Sequence, residues 1–471
     1  MEKSVATVIE ANKAEYGEAY SQLRFVKPEQ AEAASLQRTE LLKEISSRAS
    51  ISCRDTKPHT GTLSPGCACC TKGEWSCLFI NGMCNGRCFY CPTAQTSKSE
   101  PMTNNLRFPK AGDYVDYLRI FGFKGASISG GEPLLTFDRS LQYVQQIKKR
   151  FGSDVHLWLY TNGILATDEK IAKLADAGLD EIRFDISADA YTLDHLRLAA
   201  GRIPTITVEI PAIPEDKELL ANLLPTLADT GVHHLNLHQL RCTPHNLPHL
   251  VKRPYTMLHG NKVTVLDSEL TALELLVKAL DKGHGPAINY CSYAYKSRFQ
   301  GRAARLRAAG ELVKPWEEIT EAGYIRTLCL KGEPEVIARC AEQLANRAGE
   351  SVKWRVEGGR DLFFHPEMWS MIDFTGLSLH LNYATSQIRG AISYRGAHRK
   401  INLNRKRDVV AERWPAYGNR ILTFDERERF GEILTNQGGD NRVDFVLPQD
   451  IRDFEVLPAG LLDYHFGLET F

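Results

Sequence analysis

The chain of 471 residues lacks the features that mark a membrane, secreted or disordered protein. It has no uninterrupted apolar stretch of about 18 residues, which a transmembrane helix needs. Its start, Met1-Glu2-Lys3-Ser4, leads into a polar, Glu-rich pattern and not into the apolar core of a signal peptide. The 58 basic and 58 acidic side chains cancel, which argues against bulk coating of nucleic acid. These absences predict a globular cytoplasmic protein without membrane contact.

Cysteine is abundant and unevenly distributed. Eight of the 12 cysteines fall between Cys53 and Cys91. A disulfide scaffold is typical of small secreted domains, whereas this chain is long and predicted to be cytoplasmic. The dense cluster therefore predicts metal binding.

Short β-branched or apolar runs alternate with amphipathic helical patterns through the middle of the chain, which is typical of a parallel sheet built from βαβ units. The predicted strands are 78–80, 124–129, 156–160, 181–186, 205–210 and 234–240, with 287–291 as an extension. The fold class is α/β, a partial (β/α)6-type barrel with a Cys-rich metal loop and a separate C-terminal α+β domain. The predicted domains are a helical N-terminal extension at 1–50, Cys-rich iron–sulfur loops at 51–92, the barrel at 93–311 and the C-terminal domain at 312–471.

The most informative motif is a C-x-x-x-C-x-x-C loop formed by Cys84, Cys88 and Cys91. Such a loop can place three thiolates on three irons of a [4Fe–4S] cluster and leave the fourth iron free for a substrate or cofactor. A structural zinc site usually takes four ligands, so this spacing fits zinc less well.

With aromatic Tyr90 before its last cysteine, the loop resembles that of the radical S-adenosylmethionine (SAM) superfamily. The stretch from about 50 to 300 resembles an uncharacterised group related to the pyruvate formate-lyase-activating enzyme; segments 63–67, 75–81 and 290–292 carry that likeness. The resemblance implies an iron–sulfur oxidoreductase in which the open iron chelates SAM. Reductive cleavage of SAM then gives a 5′-deoxyadenosyl radical that abstracts hydrogen from a substrate. It also implies a reductant such as ferredoxin or flavodoxin.

Polar residues follow the predicted strands, at the edge where catalytic groups of parallel barrels lie. Gly130, Gly131 and Glu132 resemble the family's GGE motif, which binds the SAM amino group; the alternative is an ordinary strand-to-helix turn. On the same resemblance, Thr161 and Asn162 contact SAM, unless they only form an Asn-Gly turn.

The later strands add four candidates. Asp185 and Ser187 are expected to hold the SAM ribose or the substrate, with a rim salt bridge to Arg183 as the alternative. Ile210 is expected to pack on adenine, and His238 to contact a ribose or a carboxylate.

The cysteines upstream of the loop predict a second metal site. Cys67 and Cys70 are spaced as a chelating pair. Four residues form the predicted auxiliary site for a second [4Fe–4S] cluster or zinc: Cys53, Cys67, Cys70 and Cys77. Cys69 is spare or replaces Cys70. Cys291 is a core thiol, an extra ligand or a reactive group.

Residues 389–407 contain seven basic side chains and no acidic one. This run predicts recruitment of RNA, a nucleotide-bearing substrate or an acidic protein. The alternative is a solvated face neutralised by the acidic stretch at 440–453. A rival function, a non-enzymatic iron–sulfur or zinc protein for electron transfer or nucleic-acid binding, explains the cysteines and the basic run. It does not explain Glu132, Asn162 and His238 at strand ends.

Overall fold

The computed structural model of the chain describes residues 5–348, 351–435 and 447–457. These residues form two compact units, whose boundary lies between Gly301 and Arg302. The sequence suggested a boundary after residue 311. The helix Gly301–Gly310 belongs with the second unit because Arg305 donates to the Ala322 carbonyl oxygen at 2.9 Å.

Seven parallel strands form the centre of the first unit in the described part of the chain, where the sequence predicted six and an extension. They are β1 Trp75–Phe79, β2 Gly125–Ser129, β3 His156–Thr161, β4 Glu181–Phe184, β5 Thr205–Pro211, β6 His234–His238 and β7 Ala287–Cys291. Each pairs in parallel with the next, so all carboxyl ends meet at one edge. Two antiparallel strands extend the sheet at its edges: Lys57–His59 pairs with β7, and Met102–Thr103 pairs with β1. The sheet is thus open, a partial β/α barrel.

Amphipathic helices connect the strands. The main ones are Ala111–Ile120, Phe137–Phe151, Asp168–Asp176, Lys217–Asp229 and Leu266–Lys282. The helix Phe137–Phe151 shows why they form: it buries Tyr143, Val144 and Ile147 on one face and ends in three basic residues that favour the C-terminus of a helix dipole.

Two further helices, Val5–Tyr16 and Pro28–Arg48, occupy the N-terminal stretch where helix was predicted. The second packs on Leu266–Lys282, where Arg38 and Glu269 form a buried ion pair of 3.3 Å. The Tyr16 hydroxyl donates to the Cys242 carbonyl oxygen at 3.0 Å. The N-terminal segment is therefore packed onto the barrel.

Polar side chains fill the barrel interior. Glu181, Arg183 and Asn236 are almost fully buried, and residues two apart on one strand share a face. Arg183 pairs with Glu181 at 2.8 Å and with Glu209 at 2.6 Å. Such an interior suits a site that handles polar or charged molecules.

The second unit is built on an antiparallel sheet. Its described strands are β8 Glu317–Ile319, β9 Ile325–Lys331, β10 Trp354–Glu357, β11 Asp361–Phe364, β12 Ser378–Arg389, β13 His398–Asn404 and β14 Arg407–Ile421. Helices Pro334–Ala348, Phe424–Thr435 and Gln449–Glu455 accompany it. The first half of the acidic stretch at 440–453 that the sequence singled out, up to residue 446, lies outside the described residues. In the described ranges, no helix has the length and apolarity to cross a membrane.

Candidate active site

The cysteine loop is fastened to the turn after β2. The Gly131 amide donates to the Asn81 carbonyl oxygen at 2.9 Å, and the Glu132 amide to that of Met83 at 2.7 Å. A Cβ at Gly131 would lie 1.8 Å from the Met83 oxygen, and one at Gly130 would lie 2.4 Å from the Asn81 oxygen. The two glycines are required because the backbone leading into the loop passes directly over them.

Glu132 joins two strand ends. Its buried carboxylate accepts from the Thr161 hydroxyl, the Leu134 amide and the Asn162 amide, each at 2.8 Å. Burial raises the pKa of Glu132, while these donors oppose that shift. A carboxylate has about four acceptor positions, so the protein already uses most of them.

Asn162 connects the next strand to the cysteine loop. Its Nδ2 donates to Oδ1 of Asn85 at 2.9 Å and lies 3.7 Å from Sγ of Cys84. Its Oδ1 accepts from the Ile164 amide at 3.1 Å, which fixes the side-chain orientation. Thr161 and Asn162 therefore orient groups around the loop.

The three loop cysteines line one cavity of about 950 Å³ and are half-buried. A Cβ at Gly86 would lie 3.4 Å from Sγ of Cys84 and 3.5 Å from Sγ of Cys88, so the backbone of this glycine passes close to both sulfurs. Burial raises the pKa of Cys88 to about 12, and a thiol deprotonates when it binds metal. These residues fit a cluster ligand set.

Within the described residues, no three His, Cys, Asp or Glu side chains converge on a position for a single metal ion. An iron–sulfur cluster does not need such convergence because its cysteines bind different irons.

Tyr90 ties the loop to the end of β4. Its hydroxyl donates to Oδ2 of Asp185 at 2.8 Å and lies 2.7 Å from Oγ of Ser187. Burial raises the pKa of Asp185, which makes these donors important to its charged form. Asp185 and Ser187 thus hold Tyr90, and the rim salt bridge with Arg183 does not form because Arg183 pairs with Glu181 and Glu209.

Glu209 is an interior residue that the sequence reasoning missed. Its carboxylate pairs with Arg183 and with Nε2 of His238 at 2.6 Å, and it accepts from Asn236 at 2.9 Å. Burial opposes its ionisation, but Arg183 and His238 outweigh burial and hold the pKa of Glu209 well below its usual range. Side chains alternate between the two faces of a strand, and Ile210 was already a candidate, so its neighbour Glu209 could have been recognised from the sequence.

Ile210 does not reach the cavity. It is fully buried, whereas its strand neighbours Glu209 and Pro211 line cavities. Because side chains alternate along a strand, an inward Glu209 directs Ile210 to the other face of the sheet. The expected contact between Ile210 and adenine therefore has no support in the structure.

A second cavity of about 510 Å³ adjoins the first. The two share a wall formed by Tyr90, Pro92, Asp185, Glu209 and His238. The first cavity is lined by the cysteine loop and most predicted SAM contacts: Gly130, Gly131, Glu132, Thr161, Asn162, Asp185 and His238. Two ligands can thus lie side by side at the carboxyl edge of the sheet.

Some upstream cysteines gather around Lys57. This lysine is buried, and its Nζ donates to Sγ of Cys291 at 2.9 Å. Asn289 Nδ2 lies 3.7 Å from Sγ of Cys67 and 3.6 Å from Sγ of Cys291. Cys67 and Cys291 therefore lie on either side of one amide group.

Two more thiols belong to this group. The Tyr295 hydroxyl donates to Sγ of Cys70 at 3.2 Å, and Lys57 Nζ lies 4.3 Å from the Tyr295 ring centre. Burial raises the pKa of Cys53 to about 11, and the charge of Lys57 opposes that shift, which places Cys53 within electrostatic range of Lys57.

Cys77 is not among these thiols. It lies on β1, where burial raises its pKa to about 11 and hydrogen bonds with Ser127 and Ser129 oppose the shift. Cys69 packs against β2, because a Cβ added at Gly125 would lie 2.8 Å from the Cβ of Cys69. The predicted set is therefore not brought together as a whole, and Cys291 lies where Cys77 was expected.

The basic run in the second unit is partly neutralised by acidic residues close to it. Arg389 lies 3.6 Å from Glu412, Arg399 lies 3.4 Å from Glu311, and Lys400 pairs with Asp408 at 2.5 Å. The alternative given by the sequence was neutralisation by the acidic stretch at 440–453. None of these three partners comes from that stretch. In the described ranges, no ion pair involves the exposed side chains of Arg395, Arg405 and Lys406.

An open parallel β/α barrel with three closely spaced cysteines at its strand ends has the architecture of an iron–sulfur enzyme. Residues 78–236 match the model of the radical SAM superfamily. A putative glycyl-radical enzyme activating enzyme from Methanocaldococcus jannaschii is 30% identical over 275 residues, 56% of this chain and 72% of that protein. The chain belongs to the radical SAM superfamily. It is an enzyme whose cofactors are a [4Fe–4S] cluster and SAM, which confirms the resemblance seen in the loop.

Other similarities are shorter or weaker. A probable GTP 3′,8-cyclase from Methanococcus maripaludis is 34% identical over 168 residues, 32% of this chain and 53% of that protein. Among solved structures, HydG, a maturase of the [FeFe]-hydrogenase, is 13% identical with a TM-score of 0.33 over 65% of this chain and 74% of its own. Streptococcus suis SuiB bound to SAM is 15% identical with a TM-score of 0.33, covering 48% and 55%.

Proposed function

We propose that Cys84, Cys88 and Cys91 hold the catalytic [4Fe–4S] cluster and that SAM lies beside it in the larger cavity. When bound, the cluster and SAM supply a 5′-deoxyadenosyl radical that abstracts hydrogen from a substrate in the adjoining cavity. The observation that carries this proposal is that the three cysteines and most of the polar strand-end residues line one cavity, which shares a wall with a second.

The strand-end residues each position a different group of the site. Glu132 retains one acceptor position, which we assign to the SAM amino group, and it braces the turn that carries the loop. Asn162 orients the loop at Cys84. Tyr90, held by Asp185 and Ser187, keeps the last two cysteines in place. These contacts pre-organise the site before its cofactors bind.

The upstream thiols form the proposed auxiliary site, with a second [4Fe–4S] cluster as its metal. Zinc, the alternative, would need its ligands to converge on one ion, an arrangement that the described residues do not have. Its proposed ligands are Cys53, Cys67, Cys70 and Cys291. In the described part of the chain, no carboxylate forms an ion pair with buried Lys57, and a buried ammonium needs a compensating charge. Metal-bound thiolates supply that negative charge.

The proposed partners are a reductant and a macromolecular substrate. A one-electron reductant such as ferredoxin or flavodoxin serves the cluster. The name of the Methanocaldococcus jannaschii relative points to a protein substrate, and residues 389–407 offer a surface for RNA or an acidic protein. Pairing of Arg389, Arg399 and Lys400 with acidic neighbours weakens that surface.

The decisive experiment is anaerobic reconstitution followed by an assay of SAM cleavage with dithionite. Wild type is expected to form 5′-deoxyadenosine, and the triple variant Cys84→Ala, Cys88→Ala and Cys91→Ala is expected to form none. A matched variant with three alanines at Cys242, Cys329 and Cys340, which are buried outside both thiol groups, controls for loss of thiols. Cleavage by the loop variant would refute the assignment of Cys84, Cys88 and Cys91 as the ligands of the catalytic cluster.

A further inference from the structure

Two cations line the smaller cavity without an acidic partner. Arg241 and Lys296 both face it, and neither forms an ion pair within the ranges that the structure describes. Nε of Arg241 is buried without a hydrogen-bond partner. Burial lowers the pKa of Lys296, although the nearby Cys291 and Glu209 act against that shift.

The carboxylates of the same cavity are already engaged. Asp185 accepts a hydrogen bond from the Tyr90 hydroxyl, which lies near both of its oxygens, and another from the Ser187 hydroxyl. Glu209 accepts from Arg183 and His238. Among the described residues that line this cavity, Arg241 and Lys296 are thus the cations that no lining carboxylate pairs with, whereas His238 is paired with Glu209.

The shape of the cavity favours a small ligand. Its volume of about 510 Å³ is typical of small-molecule pockets, and Tyr90, Pro211 and Leu240 provide apolar walls. Lys296 begins a single π-helical turn, Lys296–Gln300, and such turns are frequent at functional sites. A few convergent polar groups in a largely apolar cavity are what a binding site requires.

From this we infer that the smaller cavity binds a small substrate through an anionic oxygen group, a carboxylate or a phosphate, held by Arg241 and Lys296. The planar guanidinium can donate two parallel hydrogen bonds to such a group, and the ammonium adds a point charge. The remainder of the substrate extends to the wall shared with the larger cavity, where Tyr90 and His238 lie. What happens to that substrate rests on the proposed function, because hydrogen abstraction requires SAM in the larger cavity.

The test measures anion binding by the full-length reconstituted protein. Inorganic phosphate and acetate serve as separate probes in equilibrium dialysis. Wild type is expected to bind at least one of them saturably at millimolar concentration, more weakly as salt is added. The double variant Arg241→Gln and Lys296→Gln is expected to lose about tenfold or more in affinity, as expected when charge-assisted hydrogen bonds are removed.

A matched variant, Lys149→Gln and Arg150→Gln, removes the same charge from exposed positions of the same unit and should bind like wild type. Binding of phosphate alone identifies a phosphate group, and binding of acetate alone a carboxylate. Equal binding by the cavity variant and wild type, or no saturable binding of either probe by wild type, would overturn the inference. Thermal unfolding curves for the double variant and for Arg241→Lys, which keeps the charge, separate lost binding from lost folding.

The outcome is separable from that of the proposed function. If wild type fails to cleave SAM yet binds anions through Arg241 and Lys296, the proposed function fails and the anion site stands. If wild type cleaves SAM and binds neither probe, the anion site fails alone.

Discussion

At the scale of single residues, Gly131 determines whether the cysteine loop can take its place. A side chain here would collide with the Met83 backbone, which cannot move without carrying Cys84 with it. We expect Gly131→Ala to reduce loop-bound iron and to destabilise the fold by about 2 kcal/mol, as overpacking does. Iron analysis and thermal unfolding measure both effects.

Gly112→Ala is the control, because a Cβ at that position would meet no atom within 4 Å. It lies in the helix Ala111–Ile120, where alanine is favoured over glycine. Full iron loading in Gly131→Ala would show that the loop does not depend on this contact.

A hydroxyl group on Tyr90 provides a second residue-scale test. Tyr90→Phe removes the donor to Asp185, a carboxylate whose pKa burial already raises. We expect iron to stay bound, SAM to bind more weakly, and unfolding to become easier by about 1 kcal/mol because Asp185 loses one of its donors and keeps Ser187. SAM titration and chemical denaturation report these changes, and unaltered SAM affinity would exclude a role for the Tyr90 hydroxyl in positioning.

At the scale of elements, neighbouring strands share an ionic network inside the barrel. Burial opposes ionisation of Glu181, but Arg183 and His156 outweigh it and lower the pKa of Glu181 to about 2. A depressed folded-state pKa stabilises the protein above the unfolded value of about 4.3, and this contribution is lost as pH falls toward 2. Wild type should therefore lose stability across this acid range.

Glu181→Gln should flatten that pH dependence and cost about 3 kcal/mol at neutral pH, because Arg183 loses one buried partner. Glu169→Gln breaks only an exposed pair with Lys173 and should leave the stability close to that of wild type. Denaturant titrations between pH 2 and 7 give both results. An acid profile of Glu181→Gln parallel to that of wild type would contradict the proposed linkage.

Cys291 lies at the end of β7, whereas Cys77 lies within β1. If Cys291 and not Cys77 completes the site, Cys291→Ser should lower iron from about eight to about four per chain, or remove zinc. Cys77→Ser should keep the full complement, since its thiol lies beside Ser127 and Ser129. Metal analysis and electron paramagnetic resonance compare the two variants, and the reverse pattern would restore the ligand set predicted from the sequence.

At the scale of the whole molecule, zero net charge conceals local differences. Arg405 and Lys406 are exposed positions of the basic run where, among the described residues, no ion pair forms. If the run binds single-stranded RNA, Arg405→Ala with Lys406→Ala should reduce the slope of log affinity against log salt by about 1.4, or 0.7 per charge. Arg399→Ala with Lys400→Ala is the comparison, because both are already paired. Identical slopes for wild type and the first variant would leave the run as ordinary surface.

Local patterns were enough for the sequence alone to determine the cysteine loop, the α/β class and the order of the strands. Cys84, Cys88 and Cys91 lie within eight residues, and the strand–helix alternation repeats along the chain, so neither depends on distant contacts. The tertiary structure alone decided that Cys291 joins Cys67, that Glu209 and not Ile210 faces inward, and that Arg241 and Lys296 share a cavity. Those facts depend on which strand ends meet across the sheet and on the register of each strand. A shift of one residue in that register reverses which side chains face the interior.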